Sequence, residues 1–279
     1  MLEINHIHQG DCLVLMKDIP DKSVNLILCD LPYGTTACKW DTIIPFEPLW
    51  EQYKRIIKDN GAIVLTASQP FTSALVMSNI KMFKYEWVWN KKLAGNGILA
   101  KIQPLKIHEN IVVFSRGKVR YNPQMTKGIF RKKMTSNPKV SEINNGDGNK
   151  RAKETKNDNY YPKTILDFSM AGHRKGRFHP TQKPVALFEY LIKTYTEEGY
   201  LVLDNCIGSG TTAIACINTK RNFIGIELRQ DFVDICNKRI MEVKSGCDDI
   251  DKSCGNCRLY PDCTYEVCAV CADWRGKDG

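Results

Sequence analysis

Five consecutive residues, Asp30-Leu31-Pro32-Tyr33-Gly34, combine the side chains best suited to chemistry on a flat ring that carries an amino group. They follow an apolar run at 24–29, which predicts a strand buried on both faces of a parallel sheet. The Asp30 carboxylate would then lie at the carboxyl edge of that sheet, where open α/β folds bind their ligands. Tyr33 adds an aromatic face for stacking. The alternative is an ordinary strand-to-loop turn, because Asp, Pro and Gly are common turn residues.

A glycine-rich loop near the other end of the chain is the second candidate site. Residues 204–213 read Asp-Asn-Cys-Ile-Gly-Ser-Gly-Thr-Thr-Ala, between a predicted strand and a predicted helix. Gly208 and Gly210 allow the backbone to turn tightly and to approach a ligand closely. Glu227 ends the next predicted strand, where a carboxylate can accept hydrogen bonds from ribose hydroxyls. This unit predicts a site for a cofactor that contains a nucleoside.

Three other interpretations of the loop compete with this one. Residues 208–213 fit a loose G-x-G-x-x-A pattern, which would also suit NAD. A nucleoside triphosphate held by a P-loop is disfavoured, because the Gly-Lys-Ser/Thr ending is absent. A glycine turn with a purely structural role remains an alternative.

Length and composition limit the classes of protein that fit. The 279 residues suffice for one large α/β domain with an insertion or appendage. No apolar run approaches the roughly 18 residues of a membrane span, and the amino terminus lacks signal-peptide features. Twelve cysteines without such a signal favour reduced thiols or metal ligands in a cytoplasmic protein.

Positive charge is concentrated in one segment. Residues 116–177 contain 16 Lys or Arg and 5 Asp or Glu, a net charge of +11. Since the whole chain carries +9, the remainder carries about −2. A basic segment in a nearly neutral protein indicates a nucleic-acid contact surface. A solvated, partly disordered loop is the alternative.

Alternating strand and helix patterns predict a mostly parallel sheet with helices on both faces. From residue 118 to residue 163 the regular periodicity disappears, which predicts an insertion, whether ordered or not. The predicted strands cover 4–8, 24–29, 62–66, 85–89, 108–114, 164–168, 200–204 and 222–227, and the predicted helices cover 12–19, 46–57, 70–80, 184–195, the stretch after the glycine loop, and 231–243.

Together the two candidate sites resemble the signatures of the amino-methyltransferases of nucleic acids that use S-adenosylmethionine. Residues 30–33 match the D/N/S-P-P-Y/F tetrapeptide, and residues 204–212 match the D-x-F-x-G-S-G-T-T loop. The tetrapeptide comes first, by about 170 residues, which is the order of the β-class. His-Pro-Thr-Gln-Lys-Pro at 179–184, Gly-Asp at 10–11 and His-Glu-Asn-Ile at 108–111 are similar to three further elements of that class.

The resemblance covers roughly residues 4–243 and is greatest to stand-alone DNA adenine methylases of bacteriophages and prophages. It implies a Rossmann-like α/β methyltransferase fold with a mostly parallel, seven-stranded sheet. Residues 1–115 would form the catalytic half, 116–177 the basic target-recognition insertion, and 178–244 the cofactor-binding half. Residues 245–279 would form a small Cys-rich tail.

The resemblance also implies roles for individual residues. The Asp30 carboxylate and the Leu31 carbonyl would accept the hydrogens of a flipped-out adenine amine, Pro32 would stiffen the turn, and Tyr33 would stack on the base. Glu227 would bind the ribose, Asp11 the adenine end, and Thr181 and Lys183 the methionine carboxylate. The methionine side would be lined by Asp204 and by the loop residues Gly208, Gly210 and Thr211. The tetrapeptide and the glycine loop must therefore meet at one edge of the sheet.

Two departures from the family pattern bear on the pocket. Leu31 replaces the first Pro of the tetrapeptide, which costs the turn some stiffness but leaves the backbone carbonyl in place. Asn205 and Cys206 replace the usual Pro-Phe, so an aromatic residue near the cofactor is missing.

The tail predicts a structural zinc site, because paired C-x-x-C units supply the thiolates that zinc prefers. Free thiols in a disordered tail are the alternative. The candidate ligands are Cys254, Cys257, Cys263, Cys268 and Cys271.

The sequence therefore predicts a DNA adenine methyltransferase whose partner is double-stranded DNA, with no membrane association and with a homodimer as one compatible assembly. A cytosine exocyclic-amine methyltransferase is the nearest rival, although Asp at the first tetrapeptide position favours adenine. A methylase of RNA or of protein glutamine fits the basic insertion and the motif order less well. A zinc-containing DNA-binding protein with an inactive site is an alternative of another class, and an NAD oxidoreductase is a weaker one.

Overall fold

The computed structural model describes residues 1–35, 41–134, 154–170 and 182–248. The strands in these ranges are β1 (His6–Gln9), β2 (Val24–Cys29), β3 (Ile57–Ala67), β4 (Phe83–Asn90), β5 (His108–Phe114), β6 (Thr126–Met134), β7 (Glu154–Tyr160), β8 (Ile165–Asp167), β9 (Leu201–Asp204) and β10 (Asn222–Glu227). The helices are α1 (Cys12–Leu15), α2 (Phe46–Ile56), α3 (Phe71–Ser78), α4 (Val185–Tyr195), α5 (Thr211–Asn218) and α6 (Gln230–Asp248), with short 3₁₀ turns at Met16–Asp18 and Gly97–Leu99.

One sheet contains eight of the described strands, in the order β1-β10-β9-β2-β3-β5-β4-β8. β5 pairs antiparallel with both of its neighbours, and every other pairing in this sheet is parallel. The predicted mostly parallel α/β sheet is confirmed. The sheet has eight described strands instead of seven, because the three-residue β8 pairs with the outer side of β4.

Both faces of the sheet are covered by helices, as the alternation of patterns predicted. All six residues of β2 are buried, and from Leu26 to Cys29 they alternate between two apolar clusters. Leu26 and Leu28 pack with residues of α4, α5 and α6, whereas Ile27 and Cys29 pack with residues of α2 and α3. Because β2 has no solvent-exposed face, its carboxyl end is held in a fixed position, and the residues that follow it inherit that position.

Two stretches of the predicted insertion from 118 to 163 are ordered as strands, although the sequence shows no periodicity there. β6 and β7 pair antiparallel and form a two-stranded sheet of their own, which we call the basic ribbon. Its described side chains are mostly exposed, so the apolar alternation that usually marks a strand is absent. Gly128 of β6 lies against the Tyr160 ring of β7, where a Cβ would collide.

No helix in the described ranges is both long enough and apolar enough to cross a membrane. α6 extends to Asp248. The five candidate zinc ligands lie outside the described residues, as does Thr181.

Candidate active site

The two candidate sites lie at the same edge of the sheet. β2 and β9 are adjacent and parallel, with Leu26 opposite Val202 and Ile27 opposite Leu203. Asp30, which follows β2, and Asp204, which ends β9, therefore lie at neighbouring strand ends. The hypothesis that the tetrapeptide and the glycine loop meet at one edge is confirmed.

The Asp30 carboxylate accepts hydrogen bonds on both of its oxygens. Tyr33 Oη donates to Asp30 Oδ1 over 2.7 Å, and the Thr66 hydroxyl, at the end of β3, donates to the same oxygen. Lys183 Nζ donates to Asp30 Oδ2 over 2.8 Å. Leu31 is buried in the apolar cluster beneath, and Pro32 is half-buried. The tetrapeptide is thus anchored on the protein side and presents its polar groups at the sheet edge.

The ring of Tyr33 is positioned by α3. It stacks on Phe71, the first residue of that helix, with 5.2 Å between ring centroids and 26° between ring planes. Burial, followed by the charge of Asp30, raises the pKa of the Tyr33 phenol well above its usual value. The phenol therefore stays neutral near pH 7 and acts as a hydrogen-bond donor to Asp30.

Lys183 connects the catalytic half to the glycine loop. Its backbone carbonyl accepts a hydrogen bond of 3.4 Å from Thr211 Oγ1, at the start of α5. Its ammonium contacts two carboxylates, because Glu109 Oε2 lies 3.3 Å from Nζ in addition to the bond to Asp30. Burial lowers the pKa of Lys183, but the charges of Asp30 and Glu109 outweigh it and raise that pKa above its usual value. Lys183 is therefore a buried cation at neutral pH.

Sequence reasoning missed Thr66, Lys91 and Glu109 as members of this site. Lys91 Nζ lies 3.1 Å from Glu109 Oε1, so the charges continue from Lys183 to the end of β4. Glu109 was recognised only as part of a motif, without a role. Its position follows from the direction of β5: because that strand is antiparallel, its first residues lie at the edge where parallel strands end.

The glycine loop requires glycine for two different reasons. Gly208 has a φ of +52° and Gly210 a φ of +88°, values that L side chains rarely adopt. A Cβ on Gly210 would collide with the Cys236 thiol of α6, whereas a Cβ on Gly208 would meet open space. The loop is therefore packed closely on α6 at Gly210 and leaves room for a ligand at Gly208.

Asp204 lies beneath the loop and is buried. Its Oδ1 accepts a 3.1 Å hydrogen bond from the backbone N–H of Cys206, and its Oδ2 accepts one from the Thr212 hydroxyl of α5. Burial raises the pKa of Asp204 to about 7. Its carboxylate joins the end of β9 to the start of α5, and so fixes the shape of the loop from below.

Glu227 and Asp11 lie beside the same loop, on β10 and after β1. Gly208 N–H donates to Glu227 Oε2 over 2.9 Å, and burial raises the pKa of Glu227. Gly10 N–H donates to the Glu227 carbonyl over 2.9 Å, which places Asp11 next to the end of β10. The Asp11 carboxylate caps α1 through Leu13 N–H at 2.7 Å.

The residues that replace the family's Pro-Phe pair are held by α2. Tyr53 Oη donates a 2.5 Å hydrogen bond to Asn205 Oδ1. Cys206 lies beside Cys12 and Cys29, and burial raises the pKa of the Cys29 thiol to about 12. Small thiols thus occupy the space beside the pocket where the family pattern has an aromatic ring.

The site therefore has three features. The Glu227 carboxylate can accept hydrogen bonds from a diol, the backbone is open at Gly208, and the Asp30 carboxylate lies next to the Tyr33 ring. Carboxylates and loop amides of this kind fit a nucleoside that carries an amino-acid tail. No group of three or more His, Cys, Asp or Glu residues within the described ranges is arranged to hold a metal ion.

Comparisons with known proteins agree with this geometry. Residues 24–238 match the family described as DNA methylase. The type II methyltransferase M.HpaI of Haemophilus parainfluenzae is 25% identical over 262 residues, which cover 89% of this chain and 78% of that protein. The DNA adenine methyltransferase YhdJ of Escherichia coli K12 is 28% identical over 253 residues, which cover 85% of this chain and 83% of that protein.

Solved structures show that the fold is shared. A complex of M1.HpyAVI with S-adenosylmethionine superposes with a TM-score of 0.56 at 23% identity, covering 84% of this chain and 98% of that one. PvuII DNA methyltransferase, described as cytosine-N4-specific, superposes with a TM-score of 0.59 at 15% identity, covering 86% and 90%. The predicted Rossmann-like methyltransferase fold is confirmed.

Proposed function

Because this chain belongs to the DNA methylase family, we propose that it transfers a methyl group from S-adenosylmethionine to the exocyclic amine of a flipped-out adenine in double-stranded DNA. The observation that carries the proposal is the Asp30 carboxylate. It lies at the carboxyl end of β2, bonded to Tyr33 and linked through Lys183 to the glycine loop. An acceptor, a stacking ring and a nucleoside-binding loop at one edge are the parts that amine methylation needs.

The target base must leave the duplex before its amine can react, at a cost of a few kcal/mol. Tyr33 would stack on the extruded ring, while the Asp30 carboxylate and the Leu31 carbonyl accept the hydrogens of the amine. These acceptors stabilise the positive charge that develops on the attacking nitrogen. S-adenosylmethionine, when bound, supplies a methyl group on a positively charged sulfur that leaves as a neutral thioether.

The cofactor would be held by the residues around the glycine loop. Glu227 would accept hydrogen bonds from the ribose, and Asp11 would contact the adenine end. Gly208, Gly210, Thr211 and Asp204 would shape the methionine side, Asp204 from beneath the loop. The M1.HpyAVI structure, a complex with S-adenosylmethionine, supports this choice of cofactor. The roles of Thr181 and Lys183 at the methionine carboxylate stay predictions, and Lys183 Nζ lies at Asp30 in this structure.

Adenine is the base that we favour. Asp occupies the first position of the tetrapeptide, and YhdJ is named a DNA adenine methyltransferase. Cytosine is the second candidate, since the PvuII enzyme, described as cytosine-N4-specific, has the same fold. Mass spectrometry of nucleosides from DNA methylated by the purified protein distinguishes N6-methyladenine from N4-methylcytosine.

Asp30→Ala tests the catalytic assignment. We expect transfer of labelled methyl groups to DNA to be abolished, and S-adenosylmethionine binding, measured by calorimetry, to stay within about twofold of wild type, because Asp30 is assigned to the amine. Asp59→Ala, which removes an exposed carboxylate paired with Lys22, is the matched control. Turnover by the Asp30 variant would remove this residue from the mechanism.

We propose that the connection between β4 and β5 forms part of the DNA-binding surface. Residues 91–107 leave the sheet at the edge where Asp30 lies, and they contain no acidic residue and four lysines, of which Lys92 and Lys101 are exposed. Ile98 is 97% exposed and Ile102 is 80% exposed. The loop is braced by Asn96, whose Oδ1 accepts a 2.7 Å hydrogen bond from Lys106 N–H. Lysines suit phosphates, and apolar side chains suit the space beside an unstacked base.

The basic ribbon is the second proposed DNA contact, as the target-recognition segment. Its strands carry Lys127, Arg131 and Lys132, with Arg131 over the Tyr160 ring at 6.0 Å. Phe130 beside them is 61% exposed.

We also propose that the Cys-rich tail binds one structural zinc ion, a proposal supported by the spacing of its cysteines alone. Metal analysis of the full-length protein should give about one zinc per chain, and replacement of the five tail cysteines by serine should abolish it. Light scattering would test the homodimer. The cytoplasmic location and the phage origin stay predictions.

A further inference from the structure

Three separate sequence elements are joined by a single ammonium group. Lys183, from the element at 179–184, lies 2.8 Å from Asp30 Oδ2 and 3.3 Å from Glu109 Oε2. Its side chain is only 8% exposed. Lys91 completes the chain of charges through its contact of 3.1 Å with Glu109 Oε1.

The energetics of this arrangement allow the ammonium to change partners. A buried cation is strongly destabilising unless it is paired, so Lys183 cannot leave Asp30 for an apolar environment. Glu109 provides a second carboxylate within reach and already forms an ion pair with Lys91. Lys183 can therefore release Asp30 and remain paired.

Such a release would favour the proposed reaction. Tyr33 and Thr66 donate to Asp30 Oδ1 and Lys183 donates to Oδ2, so a target amine would share either oxygen with a donor that is already bound. The two hydroxyls can rotate to other acceptors, whereas the ammonium only donates and therefore needs another carboxylate if it is to leave Oδ2. A cation held at Oδ2 would also oppose the positive charge that develops on the target nitrogen.

We infer that Glu109 is a positioning residue that takes over Lys183 when the target amine binds Asp30. This inference rests on the proposed function. Glu109 acts through Lys183 without touching the base, and it keeps the released ammonium close enough to return to Asp30 after methyl transfer.

The test is a double-mutant cycle of Glu109→Gln and Lys183→Met, with methyl transfer to DNA as the assay. Glu109→Gln leaves Asp30 as the remaining carboxylate partner of Lys183 in this cluster, so we expect kcat to fall on the order of tenfold, as for contacting charges. The dissociation constant of S-adenosylmethionine should be unchanged. In the Lys183→Met background, Glu109→Gln should cause no further loss. Glu86→Gln, on the neighbouring β4, is the matched control.

Multiplicative losses in the double variant, or a wild-type kcat for Glu109→Gln, would overturn the inference. If Glu109→Gln fails to fold, Glu109→Asp replaces it, since Asp retains the charge but shortens the side chain by one methylene. The expected result is again a fall in kcat that is absent in the Lys183→Met background. Wild-type protein without methyl transfer to DNA would instead overturn the proposed function itself, and this inference with it.

Discussion

Replacing Asp204 by Asn should change how the free energy of unfolding depends on pH. Burial raises the pKa of Asp204 to about 7, from 3.8 for an unperturbed carboxyl. Between these values the folded protein binds a proton that the unfolded chain has released. Stability from this group is therefore complete below about pH 3.8 and is lost as the pH rises to about 7.

The size of the loss follows from the separation of the two pKa values. A difference of about 3 pH units corresponds to about 4 kcal/mol at 1.36 kcal/mol per unit. Asn does not titrate, so Asp204→Asn should lack this loss. Relative to wild type, the variant should gain up to about 4 kcal/mol in unfolding free energy between pH 4 and pH 8. The Thr212 hydroxyl can reverse its bond and donate elsewhere, since it both donates and accepts.

Urea denaturation followed by tryptophan fluorescence, at several pH values without cofactor, measures this difference. Asp59→Asn is the control, because an exposed bond from Lys22 lowers the pKa of Asp59, the opposite direction. It should therefore lose stability relative to wild type as the pH rises above the acid range. Parallel pH profiles for wild type and Asp204→Asn would refute the reasoning, and would mean that Asp204 is already ionised at low pH in the folded protein.

Three further predictions concern the loop, its support and the DNA surface. Gly210→Ala should lower the unfolding free energy by more than Gly199→Ala does. Gly199 shares the positive φ but a Cβ there would meet open space, so its substitution costs only the backbone strain of about 1 kcal/mol. Equal losses in urea denaturation would contradict the packing argument for Gly210. Tyr53→Phe leaves the buried Asn205 amide oxygen without its donor and should lower the unfolding free energy by about 1–3 kcal/mol in the same measurement. An unchanged unfolding free energy would show that this hydrogen bond does not support the loop. Ile98→Ser should reduce the fluorescence increase of 2-aminopurine at the target position, and should slow methylation less on DNA with a mismatched target than on matched DNA. Met241→Ser, at a distant exposed position on α6, is the control and should have neither effect. An unchanged fluorescence signal for Ile98→Ser would exclude the loop from base flipping.

Sequence reasoning succeeded where burial determines the pattern. β2, β5 and β10 have the predicted bounds, because each is an apolar run between clear turn signals. The adjacency of the tetrapeptide and the glycine loop also followed, since carboxyl ends of parallel strands share an edge.

The missed features depend on information that local patterns do not contain. The basic ribbon has no buried face, so its strands lack alternation. Glu109 reaches Lys183, the partner of Asp30, only because β5 is reversed, and a strand's direction is set by its partners. The ammonium of Lys183 lies at Asp30, a contact that joins residues 153 positions apart.

The reversal of β5 has a consequence for how far the connection between β4 and β5 can vary. β4 and β5 are paired up to Asn90 and His108, and Lys91 N–H continues the pairing with a 2.8 Å bond to the Ile107 carbonyl. The loop between them is thus closed at its base like the arms of a hairpin. We therefore expect segments of other lengths and compositions at this base to leave the paired strands in place. The reacting groups would keep their places while a new segment changed the contacts with DNA beside the flipped base.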